Sequence, residues 1–230
     1  MDAHEPEAAN TDTSSDSVRG ESRWPVVIVL LLAIGLPFLM PVQLLPGPPW
    51  LLPAIEGLLL VAMFVTDPGR INNRSREAHY VRIILVVVLV ASAAWATTRL
   101  IDALITGRAE FTGSASDLLR AGGLVWLGLL ISFAFLYWEL DLGGPGERAH
   151  RERRYPDLAF PQELSPAVRA PGWRPVFVDY LYVGLTNGLA FSPTDVMPLA
   201  HWAKFAMGVQ SVTSLTILGL VVARAVNVLL

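Results

Sequence analysis

Six polar residues near the end of the chain have the types and spacing needed to handle protons or cations. They lie between residues 176 and 195: Asp179, Tyr182, Thr186, Asn187, Thr194 and Asp195. On a helix, Asp179, Tyr182 and Thr186 are spaced i, i+3 and i+7 and share one face. Carboxylate, hydroxyl and amide oxygens on one face either line an ion or substrate path or hydrogen-bond to neighbouring helices. The sequence leaves both interpretations open.

Glu56 is a further candidate, because it is the only acid in the apolar run from residue 50 to 65. An ionisable side chain inside a membrane span costs about 2.5–3.5 kcal/mol on insertion scales. We therefore expect Glu56 to bind a proton or a cation, to pair with an arginine of another helix, or, being near one end of its run, to contact interfacial water. Arg99 and Asp102 are three residues apart, and we expect them to neutralise each other.

Other chemistries are disfavoured by the residue types. The chain has no cysteine, which excludes disulfides, thiol catalysis and iron–sulfur clusters. No metal or other cofactor is expected, because no metal-ligand spacing occurs among the four histidines, His4, His79, His150 and His201. Motifs for a nucleophile elbow, a phosphate-binding loop or a dinucleotide site are absent, so we expect no enzymatic activity. A net charge of −3 also gives no basic excess for nucleic acid.

Long apolar runs carry these polar residues. The chain is 53% hydrophobic and 16% charged, with a mean hydropathy of +0.49, whereas a soluble domain has about 25% charged residues. A helical span needs about 20 mostly apolar residues. Such runs occur at 24–45, 50–65, 80–105, 118–140 and 202–230, with a shorter one at 176–191. The sequence predicts an all-α, polytopic membrane helix bundle in the lipid bilayer.

The placement of arginines predicts six transmembrane helices with both termini in the cytoplasm. Under that topology twelve arginines lie inside, and only Arg99, Arg108, Arg120 and Lys204 lie outside. An excess of cations marks the cytoplasmic side. The alternative is five spans plus a re-entrant pore-loop helix at 176–191. With that loop dipping in from outside, the same twelve arginines would face outward.

Four regions follow from this organisation. Residues 1–23 are expected to form a disordered, acidic cytoplasmic tail, and residues 24–140 a four-helix transmembrane region. Residues 141–175 form an Arg- and Pro-rich cytoplasmic loop, which we expect to be extended and poorly packed. Residues 176–230 form a helix pair. The cationic cluster from Arg148 to Arg154 either sets the topology or contacts anionic headgroups or an unidentified protein partner.

Gly184 and Gly188 form a Gly-x-x-x-Gly pair, which allows another helix backbone to approach closely. The pair predicts either a homo-oligomer or close packing within one chain. Sixteen of the seventeen basic residues are arginine, a bias that suits a GC-rich bacterial genome. We therefore expect a multi-pass protein of the bacterial plasma (inner) membrane.

The C-terminal third carries a recognisable pattern of residues. It reads Asp179-Tyr180-Leu181-Tyr182, Thr186, Gly188, Thr194-Asp195-Val196 and Ala225-Val226-Asn227. This pattern resembles the C-terminal signature of a bacterial family of integral membrane proteins classed as a domain of unknown function. The resemblance implies a multi-helix membrane bundle and no known activity. The remaining spans match that family only in hydropathy.

A second resemblance concerns Asp195-Val196-Met197-Pro198, followed by Trp202-Ala203-Lys204 and a long apolar helix. This order is distantly similar to the segment that follows the selectivity filter in the pore domain of two-transmembrane potassium channels. Such a channel has Val-Gly-Tyr-Gly before the aspartate, whereas this chain has Phe191-Ser192-Pro193-Thr194. The filter glycines allow successive carbonyls to line the pore, so potassium selectivity of the known kind is not expected.

Two functional hypotheses follow. In the first, the polar helix pair forms a channel-like or transport-related element, lined by Asp179, Thr186 and Asn187, with Thr194 and Asp195 at its mouth. In the second, the protein is structural or accessory. The same polar groups then only hold helices together, and the Arg-rich loop docks a partner.

Overall fold

The computed structural model describes residues 20–66, 71, 75–107, 110–150, 155–189 and 195–229. Helices dominate these residues: α1 Trp24–Leu39, α2 Leu51–Thr66, α3 Arg76–Thr106, α4 Ala115–Leu140, α5 Pro145–His150, α6 Pro161–Leu164, α7 Phe177–Leu189 and α8 His201–Leu229. Two-residue strands, β1 Leu158–Ala159 and β2 Met197–Pro198, pair antiparallel. The expectation of an all-α helix bundle is confirmed.

Three described helices are long and apolar enough to cross a membrane: α3, α4 and α8. Two shorter apolar helices, α1 and α2, have 16 residues each and span about 24 Å at 1.5 Å per residue. By the same rise, the 13 residues of α7 span only about 20 Å, against about 30 Å of hydrocarbon. Six spans are therefore not confirmed.

Local sequence explains where the helices begin and end. The Ser75 hydroxyl caps α3 by accepting a hydrogen bond from the Ala78 N–H at 3.1 Å. Gly107 ends α3 with a φ of +66°, a conformation that glycine adopts without steric cost. The first apolar run was expected to continue to residue 45. The helix stops at Leu39, because Pro41 has no N–H to continue the ladder.

α4 lies at the centre of the bundle and packs against α1, α3, α7 and α8. Its Leu118, Ala121, Ala134 and Phe135 side chains are fully buried. α8 runs antiparallel to α4. Gly122 of α4 packs on Val221, whereas the Tyr137 hydroxyl lies 2.7 Å from Gln210 Oε1, so contacts move toward the start of α8 as α4 advances.

We name the two ends of the bundle by what lies there. The loop end holds Glu21, the end of α4 and the segment 141–175, because the Trp138 indole donates to Glu21. The far end holds Gly107, where a Cβ would lie 2.8 Å from Arg224 Nη2 near the end of α8. The described beginning and end of the chain thus lie at opposite ends.

α7 begins at the loop end and runs parallel to α8. Phe177, its first residue, packs on Trp138 with ring centroids 5.6 Å apart. Gly184 contacts Gln210, and Gly188 contacts Ser214 further along α8. Strand β2 follows α7 and pairs with β1 of the segment 141–175. The chain is therefore back at the loop end before α8 begins.

The described residues of the segment 141–175, namely 141–150 and 155–175, are folded rather than extended and poorly packed. Leu158 and Ala159 are fully buried, and Phe160 is 3% exposed. Asp141 Oδ1 accepts hydrogen bonds from the Asp157 and Leu158 N–H groups, which ties the segment to the end of α4. The expectation failed because proline spacing describes local backbone preference, whereas this packing depends on contacts with α4 and α7.

The last residues of the acidic tail, 20–23, are also ordered. Glu21 accepts hydrogen bonds from Trp138 Nε1, at 3.0 Å, and from the Phe177 N–H. It also forms an isolated antiparallel bridge with Ile71. Glu21 thus provides acceptors for two buried N–H groups. The remainder of the predicted tail, residues 1–19, lies outside the described residues.

Candidate functional site

Two glycines let α7 approach α4 closely. A Cβ on Gly184 would lie 3.1 Å from the Leu130 carbonyl oxygen, and a Cβ on Gly188 would clash with the Leu130 Cδ2 methyl. The Gly-x-x-x-Gly pair thus serves packing within one chain, one of the two roles that the sequence predicts. The prediction of a homo-oligomer stays a prediction.

Asn187 faces into the bundle and joins a buried hydrogen-bond network. Its Nδ2 donates to Gln210 Oε1 at 2.8 Å and to the Met207 carbonyl oxygen at 3.0 Å. Gln210 Oε1 also accepts from the Tyr137 hydroxyl at 2.7 Å, and Gln210 Nε2 donates to the Gly184 carbonyl oxygen at 2.7 Å. The Gln210 side chain thus accepts two hydrogen bonds at Oε1 and donates one from Nε2, which joins α4, α7 and α8.

Serines extend this network along the interface between α7 and α8. Ser211 Oγ donates to Asn187 Oδ1 at 3.0 Å. Ser214 Oγ donates to the Gly188 carbonyl oxygen and accepts from the indole Nε1 of Trp126 at 2.6 Å. Gln210 and Ser214 are fully buried. Sequence inspection missed both, because Gln210 and Ser214 are uncharged and lie within a long apolar run.

The other predicted stripe residues face away from the bundle. Tyr182 is 52% exposed, and Asp179 and Thr186 are half-buried. The Thr186 hydroxyl donates to its own helix, at the Tyr182 carbonyl oxygen, 2.8 Å away. Asp179 Oδ2 accepts from the Val176 N–H at 2.7 Å, which satisfies one free donor at the start of α7.

The remaining predicted residues lie elsewhere. Asp195 is exposed just before β2, and Thr194 lies outside the described residues. Glu56 lies on α2, which packs mainly against α1 and α3 rather than α7. The structure thus brings Asp179, Tyr182 and Thr186 together on one outward face. It directs Asn187 inward and keeps Glu56 apart from both.

The sequence did not predict the buried polar cluster at the loop end. Asp141 Oδ2 accepts from the Tyr180 hydroxyl at 2.6 Å. Arg148 lies 4.8 Å from the Tyr180 ring centroid and donates to the carbonyl oxygens of Trp138, at 2.6 Å, and Asp141, at 2.8 Å. Arg148 was expected either to set the topology or to contact headgroups or a partner, and its side chain is 6% exposed. Arg151, Arg153 and Arg154 lie outside the described residues.

An ion-pair group joins α3 to α4 beside this cluster. Arg82 Nε donates to Glu139 Oε2 at 3.0 Å, and His79 Nδ1 lies 2.9 Å from Glu139 Oε1. Arg82 and Glu139 are both buried. Gly144, with a φ of +93°, lies against the same carboxylate, where a Cβ would be 3.1 Å from Glu139 Oε1. Arg82 and Glu139 both lie inside predicted spans, where a charge is costly. That placement is the sequence feature that could have indicated this pair.

Burial raises the pKa of several loop-end acids, Glu21 and Glu163 among them. It raises the pKa of the Glu21 carboxyl above the usual glutamate value, although the hydrogen bonds from Trp138 and Phe177 act in the opposite direction. Glu21 thus contributes a hydrogen-bond acceptor that holds the start of α7 against α4.

Among the described residues, no group of three or more His, Cys, Asp or Glu side chains could hold a metal ion. The chain matches no protein-family model, no curated protein and no solved structure. A candidate for chemical action is the row of carboxylate, phenol and hydroxyl oxygens on α7, in which Tyr182 is exposed and Asp179 and Thr186 are half-buried.

Proposed function

We propose that this is a channel-like membrane protein with five transmembrane helices, in which α7 is a re-entrant pore helix. The observation that carries the proposal is the antiparallel pairing of β1 with β2. Strand β1 precedes α7 and strand β2 follows it, and their pairing lies at the loop end. The 13-residue helix therefore enters from the loop end, and the chain is back at that end before α8 begins. A short helix between two full-length helices, parallel to the second, is the arrangement of a pore loop.

The distribution of cations supports a cytoplasmic loop end. Among the described residues, the loop end holds Arg23, Arg76, Arg82, Arg148, Arg169, Arg174 and Lys204, whereas the far end holds Arg99, Arg120 and Arg224. An excess of basic residues marks the cytoplasmic side. The pore helix would then enter from the cytoplasm, the N-terminus would be inside and the C-terminus outside.

The outward polar face of α7 supports a path between copies of the chain. Tyr182 is 52% exposed on this face, and Asp179 and Thr186 beside it are half-buried. Polar side chains in contact with lipid are costly, so a neighbouring copy that covers them would lower the free energy. A path lined by carboxylate and hydroxyl oxygens suits a small cation or a proton. We therefore propose a homo-oligomer with the permeation path at this face.

A structural or accessory role is the second candidate. Its support is the network of Asn187, Gln210 and Ser214, in which polar atoms of α7 and α8 are consumed by hydrogen bonds within the chain. In this role the outer face of α7 contacts lipid or another protein, and no ion crosses.

Paired cysteines test the topology, because the chain contains none of its own. One is placed at the exposed Ala170 of the loop-end segment and one at the exposed Asn227 near the end of α8. A membrane-impermeant thiol reagent applied to intact cells should label N227C and spare A170C until the cells are lysed. Labelling of both positions, or of neither, in intact cells would place both on the same side of the membrane. That result would overturn the five-span topology and support six spans.

Cation flux into liposomes tests the proposed path. Purified protein is assayed with Na⁺, K⁺ and H⁺ gradients, and Thr186 is replaced by cysteine for blocking with a charged thiol reagent. Flux in the wild type, with block in T186C, is the expected result. The matched control is Phe205→Cys on α8, 75% exposed, where the reagent should leave flux unchanged. Absence of flux for all three ions would favour the accessory role.

A further inference from the structure

Glu56 lies in a small cavity among α1, α2, α3 and α4. The cavity measures about 40 Å³, and its walls are mostly apolar, formed by residues that include Ala33, Leu36, Leu89, Ala93, Val125 and Ile131. A water molecule needs about 10–15 Å³ of such volume. The cavity thus has room for water but for no large ligand. It lies apart from the α7 face and depends on none of the same residues.

The polar atoms in this cavity favour a carboxyl group that carries its proton. Glu56 is 2% exposed, and its Oε2 has no hydrogen-bond partner among the described residues. The Ser92 hydroxyl that lines the cavity donates to the Leu89 carbonyl oxygen at 2.9 Å. The Ser132 hydroxyl donates to the carbonyl oxygen of Gly128, at 2.7 Å, or of Leu89, at 2.9 Å. Their remaining lone pairs can only accept. A protonated carboxyl can donate to such acceptors or to water, whereas a carboxylate would face them without a donor.

Among the described residues, no arginine or lysine lines the cavity that holds Glu56. Among the described residues that line the cavity, Glu56 is the only ionisable one. Arg99, one turn beyond the cavity on α3, donates to the Gln43 carbonyl oxygen at 3.3 Å. Arg120 on α4 donates to the Leu39 carbonyl oxygen at 3.4 Å. The pairing of Glu56 with an arginine, expected as one alternative from the sequence, is therefore absent from the described part of the chain.

We propose that Glu56 is an intramembrane proton-binding site, which holds a dissociable proton in contact with water in the cavity. Leu45 and Pro46, in the connection between α1 and α2 at the far end, form part of the wall. Glu56 lies five residues into α2, about 7.5 Å along the axis from its first residue. The proton therefore exchanges with the aqueous phase at the far end. This inference holds whether or not α7 forms a pore.

Dicyclohexylcarbodiimide is the probe, since this apolar reagent enters membranes and attacks protonated carboxyl groups. The acid proton moves to a carbodiimide nitrogen, and the carboxyl oxygen bonds to the central carbon. The adduct then rearranges to a stable N-acylurea that mass spectrometry locates on a peptide. In the full-length protein in liposomes at neutral pH, we expect labelling at Glu56. The internal control is Glu139, equally buried but paired with Arg82, which should stay unlabelled.

The pH dependence and two variants complete the test. Above its midpoint, labelling of a single acid falls about tenfold per pH unit. Glu56→Gln should abolish labelling, because the amide does not react. Gly128→Ala adds a methyl group to the cavity wall in ordinary contact with Leu36, 3.7 Å away, and should slow labelling. Gly123→Ala, on the same helix with nothing within 4 Å, is the matched control and should leave the rate unchanged.

The inference is overturned if Glu56 stays unlabelled at neutral pH while other carboxyl groups react. It is equally overturned if the labelling of Glu56 does not change with pH. Infrared spectroscopy supplies a second readout, the carbonyl stretch of a protonated carboxyl group, a band that should be present in the wild type and missing in Glu56→Gln. Loss of this band on raising the pH is expected, and its absence at every pH would contradict a proton site.

Discussion

Leu158 and Pro198 are paired in antiparallel register, although the whole of α7 lies between them in the sequence. The pairing is extended by the Asp157 carbonyl oxygen, which accepts from the Leu199 N–H at 2.8 Å. These contacts hold the chain on both sides of α7 at the same end of the bundle. The orientation of α7 parallel to α8 follows from them.

Removal of the Gln210 side chain should destabilise the interface of α7 and α8. Gln210→Ala leaves the Tyr137 hydroxyl, the Asn187 amide and the Gly184 carbonyl without their partner. We expect a loss of about 1–2 kcal/mol in the free energy of unfolding, because hydrogen bonds between helices in membranes have about this strength. Unfolding of the detergent-solubilised protein measures it. The control Thr216→Ala removes an exposed hydroxyl bonded to its own helix, and a loss as large as that of Q210A would contradict the network's role.

Addition of a methyl group at Gly188 should force α7 away from α4. A Cβ there would clash with Leu130 Cδ2, and Leu130 is buried. Gly188→Ala should lower the melting temperature, and Leu130→Ala in the same chain should restore part of the loss, because it makes room for the methyl group. Gly208→Ala on α8, with nothing within 4 Å, should have little effect. Equal melting temperatures for G188A and G208A would show that α7 does not pack as described.

The charge and the capping role of Asp179 can be separated by two substitutions. Asp179→Asn keeps an oxygen that accepts from the Val176 N–H, whereas Asp179→Ala loses it and should cost about 1 kcal/mol in stability. If the outer face of α7 lines a path, both variants should change cation flux or proton coupling in liposomes, and D179N should remain as stable as the wild type. The accessory role instead predicts that D179N loses stability or assembly and changes no permeability.

The stability of the protein should depend on pH through Glu21. Its pKa is raised in the folded state, so the folded protein binds this proton more tightly than the unfolded chain. The stabilising effect is fully present below the unfolded pKa and is lost as the pH rises through the folded pKa. Glu21→Gln removes the titration but leaves one acceptor for two N–H donors. It should therefore melt below the wild type at low pH, and the difference should shrink as the pH rises through that window and stay constant above it.

Thermal unfolding of both proteins across acid and neutral pH provides the measurement. A wild type that gains stability relative to E21Q as the pH rises would contradict the raised pKa. In that case the hydrogen bonds from Trp138 and Phe177 would outweigh burial.

The sequence predicted the long helices closely, because each depends on an uninterrupted local property. The run predicted at 80–105 corresponds to the helix Arg76–Thr106, and the run predicted at 202–230 corresponds to the helix His201–Leu229. Apolar composition over about 20 residues specifies such helices without any partner. The glycine pair of α7 was also identified, since Gly-x-x-x-Gly packing needs only the spacing of two residues on one face.

The loop-end polar contacts were beyond sequence reasoning. Arg82 meets Glu139 across 57 residues, and Tyr180 meets Asp141 across 39. Hydropathy shows that a polar side chain inside or beside a span is costly. It does not show which residue is its partner, because that depends on which helices are neighbours. For the same reason the stripe on α7 divides, with Asn187 turned toward Gln210 and Tyr182 turned outward.

The sequence by itself determined that this is a helical bundle with apolar, membrane-length helices, because hydropathy and helix length are properties of each segment alone. Only the tertiary structure decided the direction of α7, since apolar content is the same for a helix that crosses and one that enters and returns. That direction depends on the pairing of Leu158–Ala159 with Met197–Pro198. Backbone hydrogen bonds between segments so distant in sequence leave no periodic signal in either of them.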